Sequence, residues 1–259
     1  MRISSISVPL FSLITGAVGF YLRLMELDNA FDDRGLPLRG AISTTALIVL
    51  SVAFILIALL FAIRTAIKHK ALPGFENAYG TDPLSYPLVF LLIGVIWLGA
   101  SIKLYFDMSA DGQLPWIELC FLILSALSAI AVSFFAIQMY QDPRRRMTVA
   151  LSVVPTLFMC FWLILMYRQN SANPILLKYA YYCLALTTAA LGFYFTSGFV
   201  YNKPAPGKAI FSYLCAIYFC FVTLADGHST SLKLIILTII ATNVVHVSML
   251  IRNLQWKDA

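Results

Sequence analysis

Two ionisable side chains inside apolar segments are the first candidates for chemistry in this 259-residue sequence. Glu118 stands near the start of one apolar run, and Lys103 near the end of the preceding run. A charged group in hydrocarbon costs at least about 2.5 to 3.5 kcal/mol, so each one is a functional hypothesis by default. Because the two runs are consecutive, the sequence predicts either a structural Glu118–Lys103 pair or a group that binds a ligand. For Lys103 the other interpretation is that its flexible stem carries the amine to the membrane interface.

A second polar pair, Asn243 and His246, is spaced three residues apart and therefore lies on one face of a helix. A neutral histidine in a helix bundle usually hydrogen-bonds a neighbouring helix, and proton transfer or ligation is the alternative. His228 stands in the turn Asp226-Gly227-His228-Ser229. About 18 residues at about 1.5 Å each separate it from His246, so the two cannot share a metal ion. The sequence predicts no metal site and no cofactor.

Acidic residues gather at the links that follow the odd-numbered apolar segments. They are Glu26, Asp28, Asp32, Asp33, Asp107, Asp111 and Asp226, with Glu118 just inside the membrane. If these links adjoin, the acidic rim lowers the local potential and attracts cations or basic groups. The alternative is that acids are simply what a basic cytoplasmic face leaves on the other side.

The composition identifies what must position these residues. Hydrophobic residues make up 61% of the chain and charged residues only 12%, with a mean hydropathy of +0.85. These values exclude a water-soluble globular domain, and 14% aromatic residues exclude a disordered chain. A membrane protein that crosses the bilayer several times remains.

Eight apolar stretches are long enough to cross a bilayer core, which needs about 20 residues. They are residues 6–24, 41–63, 84–104, 116–139, 147–167, 175–200, 209–225 and 232–251. We predict an all-α, polytopic integral membrane helix bundle in which eight transmembrane helices form four antiparallel hairpins, as one transmembrane domain over residues 1–259. Small residues in spans 4 and 6 predict that these two spans form the bundle centre. Span 2 and the first half of span 8 are predicted to face lipid, and residues 65–82 to form a turn or a short surface helix.

The distribution of Lys and Arg predicts the orientation, because these residues are retained in the cytoplasm. Eleven of the eighteen fall on the side of the two termini: Arg2, Arg64, Lys68, Lys70, Arg144, Arg145, Arg146, Lys203, Lys208, Arg252 and Lys257. We therefore expect a multi-pass protein of the cell membrane with both termini cytoplasmic and an uncleaved first span. The net charge of +6 is then a topology signal, and no nucleic-acid partner is expected.

The leading functional hypothesis is a non-enzymatic protein that binds or passes a small cationic or zwitterionic solute through an outward-facing acidic vestibule. The predicted ligand-binding residues are Glu118, Lys103, Asp107, Asp226, His228 and Asp28, and the intramembrane polar residues are Asn243 and His246. The rival hypothesis is an interaction or assembly subunit with a membrane partner. A lipid-modifying membrane enzyme comes third, because the sequence contains none of the common catalytic motifs.

Overall fold

The computed structural model describes residues 4–32, 36, 38, 40–69, 74–81, 84–109, 115–140, 146–172 and 175–255. These residues form nine α-helices and one 3₁₀ turn. The helices are α1 (Ser4–Asn29), α2 (Ile42–Lys68), α3 (Phe75–Tyr79), α4 (Ser85–Ser109), α5 (Trp116–Tyr140), α6 (Arg146–Asn170), α7 (Ala180–Val200), α8 (Pro206–Thr223) and α9 (Thr230–Asn253), and the 3₁₀ turn is Leu176–Lys178. All but the five-residue α3 are long and apolar enough to cross a membrane. The predicted all-α bundle of eight spans is confirmed.

The long helices pack as consecutive antiparallel pairs, α1 with α2, α4 with α5, α6 with α7, and α8 with α9. Two ends of the bundle follow from this order. We call the end where α1, α4, α6 and α8 finish the Asp226 end. The opposite end, where α2, α5, α7 and α9 finish and α3 lies, is the Tyr79 end.

Helix α8 is the centre of the bundle. Within its most apolar stretch 83% of the residues are buried, compared with 50% in α5 and 44% in α7. It packs against α1, α2, α7 and α9. The prediction that spans 4 and 6, which are α5 and α7, form the centre was therefore wrong. Small residues allow two helices to approach closely, but they do not determine how many neighbours a helix has.

Helices α2 and α9 differ in how much of their surface lipid can reach. Only 28% of the α2 stretch is buried, which agrees with the prediction that it faces lipid. In α9 the buried share is 67%, and Ile235, Ile236 and Ile239 in its first half are fully buried. The prediction of a lipid-facing first half was wrong, because branched apolar residues are suited equally to lipid and to a helix interface.

Two helix boundaries differ from the sequence prediction for physical reasons that bear on the site. Helix α1 continues past Leu24 to Asn29, and Arg23 and Glu26 in this part of the helix are buried as an ion pair. Residues 175–179 do not begin α7; the 3₁₀ turn Leu176–Lys178 precedes it instead. This turn leaves the carbonyls of Leu177 and Lys178 available to a side chain from α1.

The short helix α3 lies inside the Tyr79 end and not on the surface, which corrects the prediction for residues 65–82. Phe75, Ala78 and Tyr79 are buried, and α3 packs against α5, α7 and α9. The chain enters α3 through Gly74 with φ +84°, a conformation that residues with a Cβ rarely adopt. Three of the five side chains of α3 are buried in the bundle.

Candidate functional site

A cavity of about 240 Å³ lies at the Asp226 end, between the ends of five helices. It is lined by Met108 of α4, Pro115, Ile117, Glu118 and Phe121 at the start of α5, Trp162, Leu165, Arg168 and Gln169 of α6, Tyr182 of α7 and Leu232 of α9. Glu118 is half-buried and Arg168 is exposed, so the cavity reaches the surface at this end. A carboxylate and a guanidinium therefore share one opening.

Aromatic rings form the inner wall of this cavity. The ring centroids of Phe121 and Trp162 are 5.4 Å apart in an edge-to-face arrangement, and those of Trp162 and Tyr182 are 6.1 Å apart. The Trp162 indole N–H donates to the Tyr182 hydroxyl. This bond holds the two rings together, and the face of an aromatic ring can attract a cation.

Lys103 has a different partner from the one the sequence suggested. Its Nζ lies 2.9 Å from Asp107 Oδ2, one turn further along α4, and 3.3 Å from the Ser231 hydroxyl of α9. Ser231 in turn donates to the same carboxylate. Among the described residues no ion pair joins Lys103 to Glu118, because the carboxylate on its own helix is within reach without crossing to α5. The Glu118 carboxylate lines the cavity and is not paired with Lys103.

A buried ion-pair network occupies the other half of the Asp226 end. Arg23 of α1 is fully buried, and its Nε donates to Asp226 at 2.9 Å while one terminal nitrogen donates to Glu26 at 2.7 Å. The backbone carbonyls of Leu177 and Lys178 accept from the same guanidinium at 3.2 and 2.8 Å. One guanidinium thus links α1, the turn before α7 and the turn after α8.

Asp226 and His228 are positioned by the tight turn that ends α8. The Thr223 hydroxyl donates to Asp226 at 2.7 Å and lies 3.3 Å from His228 Nε2. The His228 ring also packs on Tyr182, with 4.5 Å between centroids, so it connects the buried network with the cavity wall. Burial lowers the pKa of His228 from its ordinary value of 6.5, and Lys233 lowers it further, while the Asp226 carboxylate opposes both. The imidazole is therefore neutral at physiological pH.

The acidic rim is divided by these contacts. Glu26 and Asp226 are buried against Arg23, Asp107 is paired with Lys103, and Asp28 is exposed on α1. Asp33 and Asp111 lie outside the described residues. Of the described acidic residues at this end, Glu118 lines the cavity, whereas the described carboxylates of the rim do not.

Asn243 and His246 lie far from this cavity, toward the Tyr79 end of α9. His246 is fully buried among the rings of Tyr79, Phe90, Phe135 and Tyr213, with centroid distances of 5.2, 5.0, 5.6 and 5.6 Å. Neither imidazole nitrogen has a hydrogen-bond partner within the part of the chain that the structure describes. The expected hydrogen bond to a neighbouring helix is therefore not formed, because each neighbour presents an aromatic ring.

Sequence reasoning missed the roles of Arg23, Arg168 and the aromatic wall. Arg23 and Glu26 are spaced i, i+3 at the end of an apolar segment, which indicates a continuing helix with a charged, buried face. Arg168 and Glu118 each lie within about one turn of the same predicted interface, which was the available signal for their shared cavity. Nothing in the sequence identifies which helices bring them together.

Neither metal-ligating side chains nor similarity to known proteins assigns a function to this cavity. In the described ranges no group of three or more His, Cys, Asp or Glu side chains is arranged to hold a metal ion. Comparisons with protein-family models, with curated proteins and with solved structures gave no match. The class of the molecule is therefore defined by its own fold, a helical membrane bundle with eight spans.

Proposed function

We propose that this multi-spanning membrane protein binds a small zwitterionic solute in the cavity lined by Glu118 and Arg168. The observation that carries the proposal is the presence of both charged side chains in one cavity that reaches the surface. A solute with an ammonium group and a carboxylate matches these two charges, and complementary charges give such a site its specificity. The charge bias of the links predicts that this end faces away from the cytoplasm.

The size of the cavity supports a small solute. At about 30 Å³ for each water molecule in the liquid, 240 Å³ holds about eight waters, which corresponds to a solute of comparable heavy-atom count. The wall of Phe121, Trp162 and Tyr182 favours an alkylated ammonium group, because such cations are attracted to aromatic faces. Amino acids and betaines are the chemical class that combines this size with both charges.

The same contacts favour a zwitterion over a simple cation. Arg168 repels a cation that approaches Glu118, whereas it attracts the carboxylate of a zwitterion. Three other acids at this end are paired, Glu26 and Asp226 with Arg23 and Asp107 with Lys103. The attraction is thus local to the cavity and does not depend on a ring of unpaired carboxylates.

Thermal unfolding of the purified full chain in detergent tests this proposal. The probes are glycine betaine and γ-aminobutyrate as zwitterions, choline as a cation and glycerol as an uncharged solute. Binding to the folded state alone raises stability by about 2.7 kcal/mol at a ligand concentration of about 100 times Kd. We expect Tm to rise with one or both zwitterions and the rise to be lost in Glu118→Gln and in Arg168→Gln.

Asp28→Asn is the matched control, because it removes an exposed carboxylate at the same end that does not line the cavity. It should keep the full ligand-dependent rise in Tm. An equal loss in all three variants would indicate the acidic vestibule and not the cavity. A Tm unchanged by every probe, together with a fixed co-purifying protein, would favour the assembly subunit.

A further inference from the structure

Within the part of the chain that the structure describes, three buried polar atoms on one face of α9 have no hydrogen-bond partner. They are both ring nitrogens of His246 and the Oδ1 of Asn243, and both residues are at most 1% exposed. The Asn243 amide nitrogen donates to the backbone of its own helix at 2.8 Å, but its oxygen faces Gly192 of α7. A Cβ on Gly192 would stand 2.8 Å from that oxygen and 3.2 Å from the Tyr213 ring, so the Asn243 amide and the Tyr213 ring both pack closely against Gly192.

Polar groups buried without partners are costly, and an apolar side chain of the same shape would avoid the cost. The rings around His246 would accommodate a phenylalanine equally well, since four aromatic rings already surround it. A stabilising role therefore does not explain the imidazole. Its donor and acceptor nitrogens, with the Asn243 carbonyl, are instead suited to a polar guest.

Helix α3 covers this group from the Tyr79 end. The Tyr79 ring stands edge-on to His246, and its hydroxyl lies 2.6 Å from the Tyr213 hydroxyl, which is 2.7 Å from Thr196 Oγ1. Burial and the neighbouring Tyr213 raise the pKa of Tyr79, so the hydroxyl stays protonated. Asn253 at the end of α9 holds the cover in place by donating to the carbonyls of Ala78 and Gly80 at 3.1 and 3.0 Å.

We propose that Asn243 and His246 form a second binding site for a small zwitterionic solute, which helix α3 covers in this conformation. Asn243 Oδ1 and the unprotonated His246 nitrogen accept from an ammonium group, and the protonated His246 nitrogen donates to a carboxylate. The inference rests on the proposed function and extends it, because two sites at opposite ends of the bundle make a path. The aromatic residues between the two ends close that path here.

Carbethoxylation of histidines by diethylpyrocarbonate, read by mass spectrometry on the full chain in detergent without solute, tests the covered site. Asn253→Ala removes the two hydrogen bonds that join the end of α9 to Ala78 and Gly80. We expect it to raise the ratio of His246 to His228 modification about tenfold, which is the change in open population that two lost hydrogen bonds produce. Tyr79→Phe, which removes only one hydroxyl, should raise the same ratio.

Asn170→Ala is the matched control. Asn170 also ends a long helix and donates to a backbone carbonyl, but it lies at the Asp226 end. This variant should leave the ratio at the wild-type value. Because His228 lies outside the covered region, global unfolding raises the modification of both histidines, whereas local opening of α3 raises that of His246 and leaves that of His228 unchanged.

A ratio that stays at the wild-type value in both Asn253→Ala and Tyr79→Phe would overturn the inference. Since no solute is present, that result is independent of whether zwitterions shift Tm at the Glu118 cavity. His246→Phe adds a second readout. It should retain or raise Tm, and a Tm lowered as far as in core truncations would show that the imidazole is structural.

Discussion

Arg23 is fully buried and bonded to two carboxylates, so its removal leaves buried charges without a partner. Breaking a buried ion pair from one side costs about 3 to 5 kcal/mol, although replacing the whole group by neutral residues is often tolerated. We expect Arg23→Met to lower the free energy of unfolding by about that amount. Equilibrium unfolding in mixed micelles measures the change.

Arg64→Met is the control, because Arg64 is exposed near the end of α2. It should change the free energy of unfolding by no more than about 0.5 kcal/mol. Adding Glu26→Gln and Asp226→Asn to Arg23→Met should recover much of the loss. If the triple variant is as unstable as Arg23→Met, the cost comes from lost packing of the side chain and not from unpaired charge.

His228 makes the stability of the Asp226 end depend on pH. Its pKa is lowered in the folded protein, so below the ordinary value of 6.5 the unfolded chain binds the proton more readily. The stabilisation by the neutral imidazole is therefore complete above that pH and is lost as the pH falls through and below it. Tm measured from about pH 8 to about pH 5 should fall less in His228→Gln than in the wild type. His69→Gln, at the Tyr79 end, should follow the wild-type curve; identical curves for all three proteins would contradict this role of His228.

At the residue scale the sequence identified which side chains carry charge but not how they pair. Glu118 was identified as a candidate, and the structure places it in a cavity. Lys103 and Asp107 pair locally at i, i+4, a contact that helical spacing alone would predict. Arg23 and Asp226 are 203 residues apart in the chain, and no local pattern specifies a contact over that distance.

At the element scale, helices α4 and α5 illustrate why small residues matter. Gly94 of α4 faces α5, where an added Cβ would stand 2.9 Å from the Ala129 carbonyl oxygen and closer still to Ser133. Gly99 on the same helix has nothing within 4 Å of that position. We expect Gly94→Ala to destabilise the protein by about 1 to 3 kcal/mol, because a backbone atom cannot move aside easily.

Gly99→Ala provides the comparison within the same helix. It should be neutral or slightly stabilising, since alanine favours a helix over glycine. Equilibrium unfolding of both variants under one set of conditions measures the difference. Equal effects of the two substitutions would show that α4 and α5 are not in close contact at Gly94.

The sequence predicted the long helices well, because hydropathy determines which segments cross the membrane. The eight long helices follow from apolar length, because in lipid each backbone N–H and C=O must be bonded within the segment. The sequence predicted a turn or a short surface helix within residues 65–82, whereas Phe75 and Tyr79 bury α3. An isolated five-residue helix is not stable in water, so its presence depends on the cleft that α5, α7 and α9 provide.

At the scale of the whole molecule, the prediction concerns orientation. Residues Ser171, at the Asp226 end, and Lys203, at the Tyr79 end, are both exposed. In a chain whose five native cysteines are replaced by alanine, an impermeant maleimide should label Ser171→Cys on intact cells. Lys203→Cys should be labelled only after lysis, since the basic links are retained in the cytoplasm. The reverse pattern would place both termini outside and the Glu118 cavity in the cytoplasm.

The sequence by itself determined the number of spans, their alternation and the end at which acids gather. These features depend on whether each segment, taken alone, is more stable in hydrocarbon or in water. Only the tertiary structure decided that α8 is central, that Arg23 pairs with Glu26 and Asp226, and that Glu118 shares a cavity with Arg168. These are contacts between segments that are distant in the chain. In a bilayer an apolar side chain can face either lipid or a neighbouring helix, so the shapes of the helix surfaces decide which helices pack together.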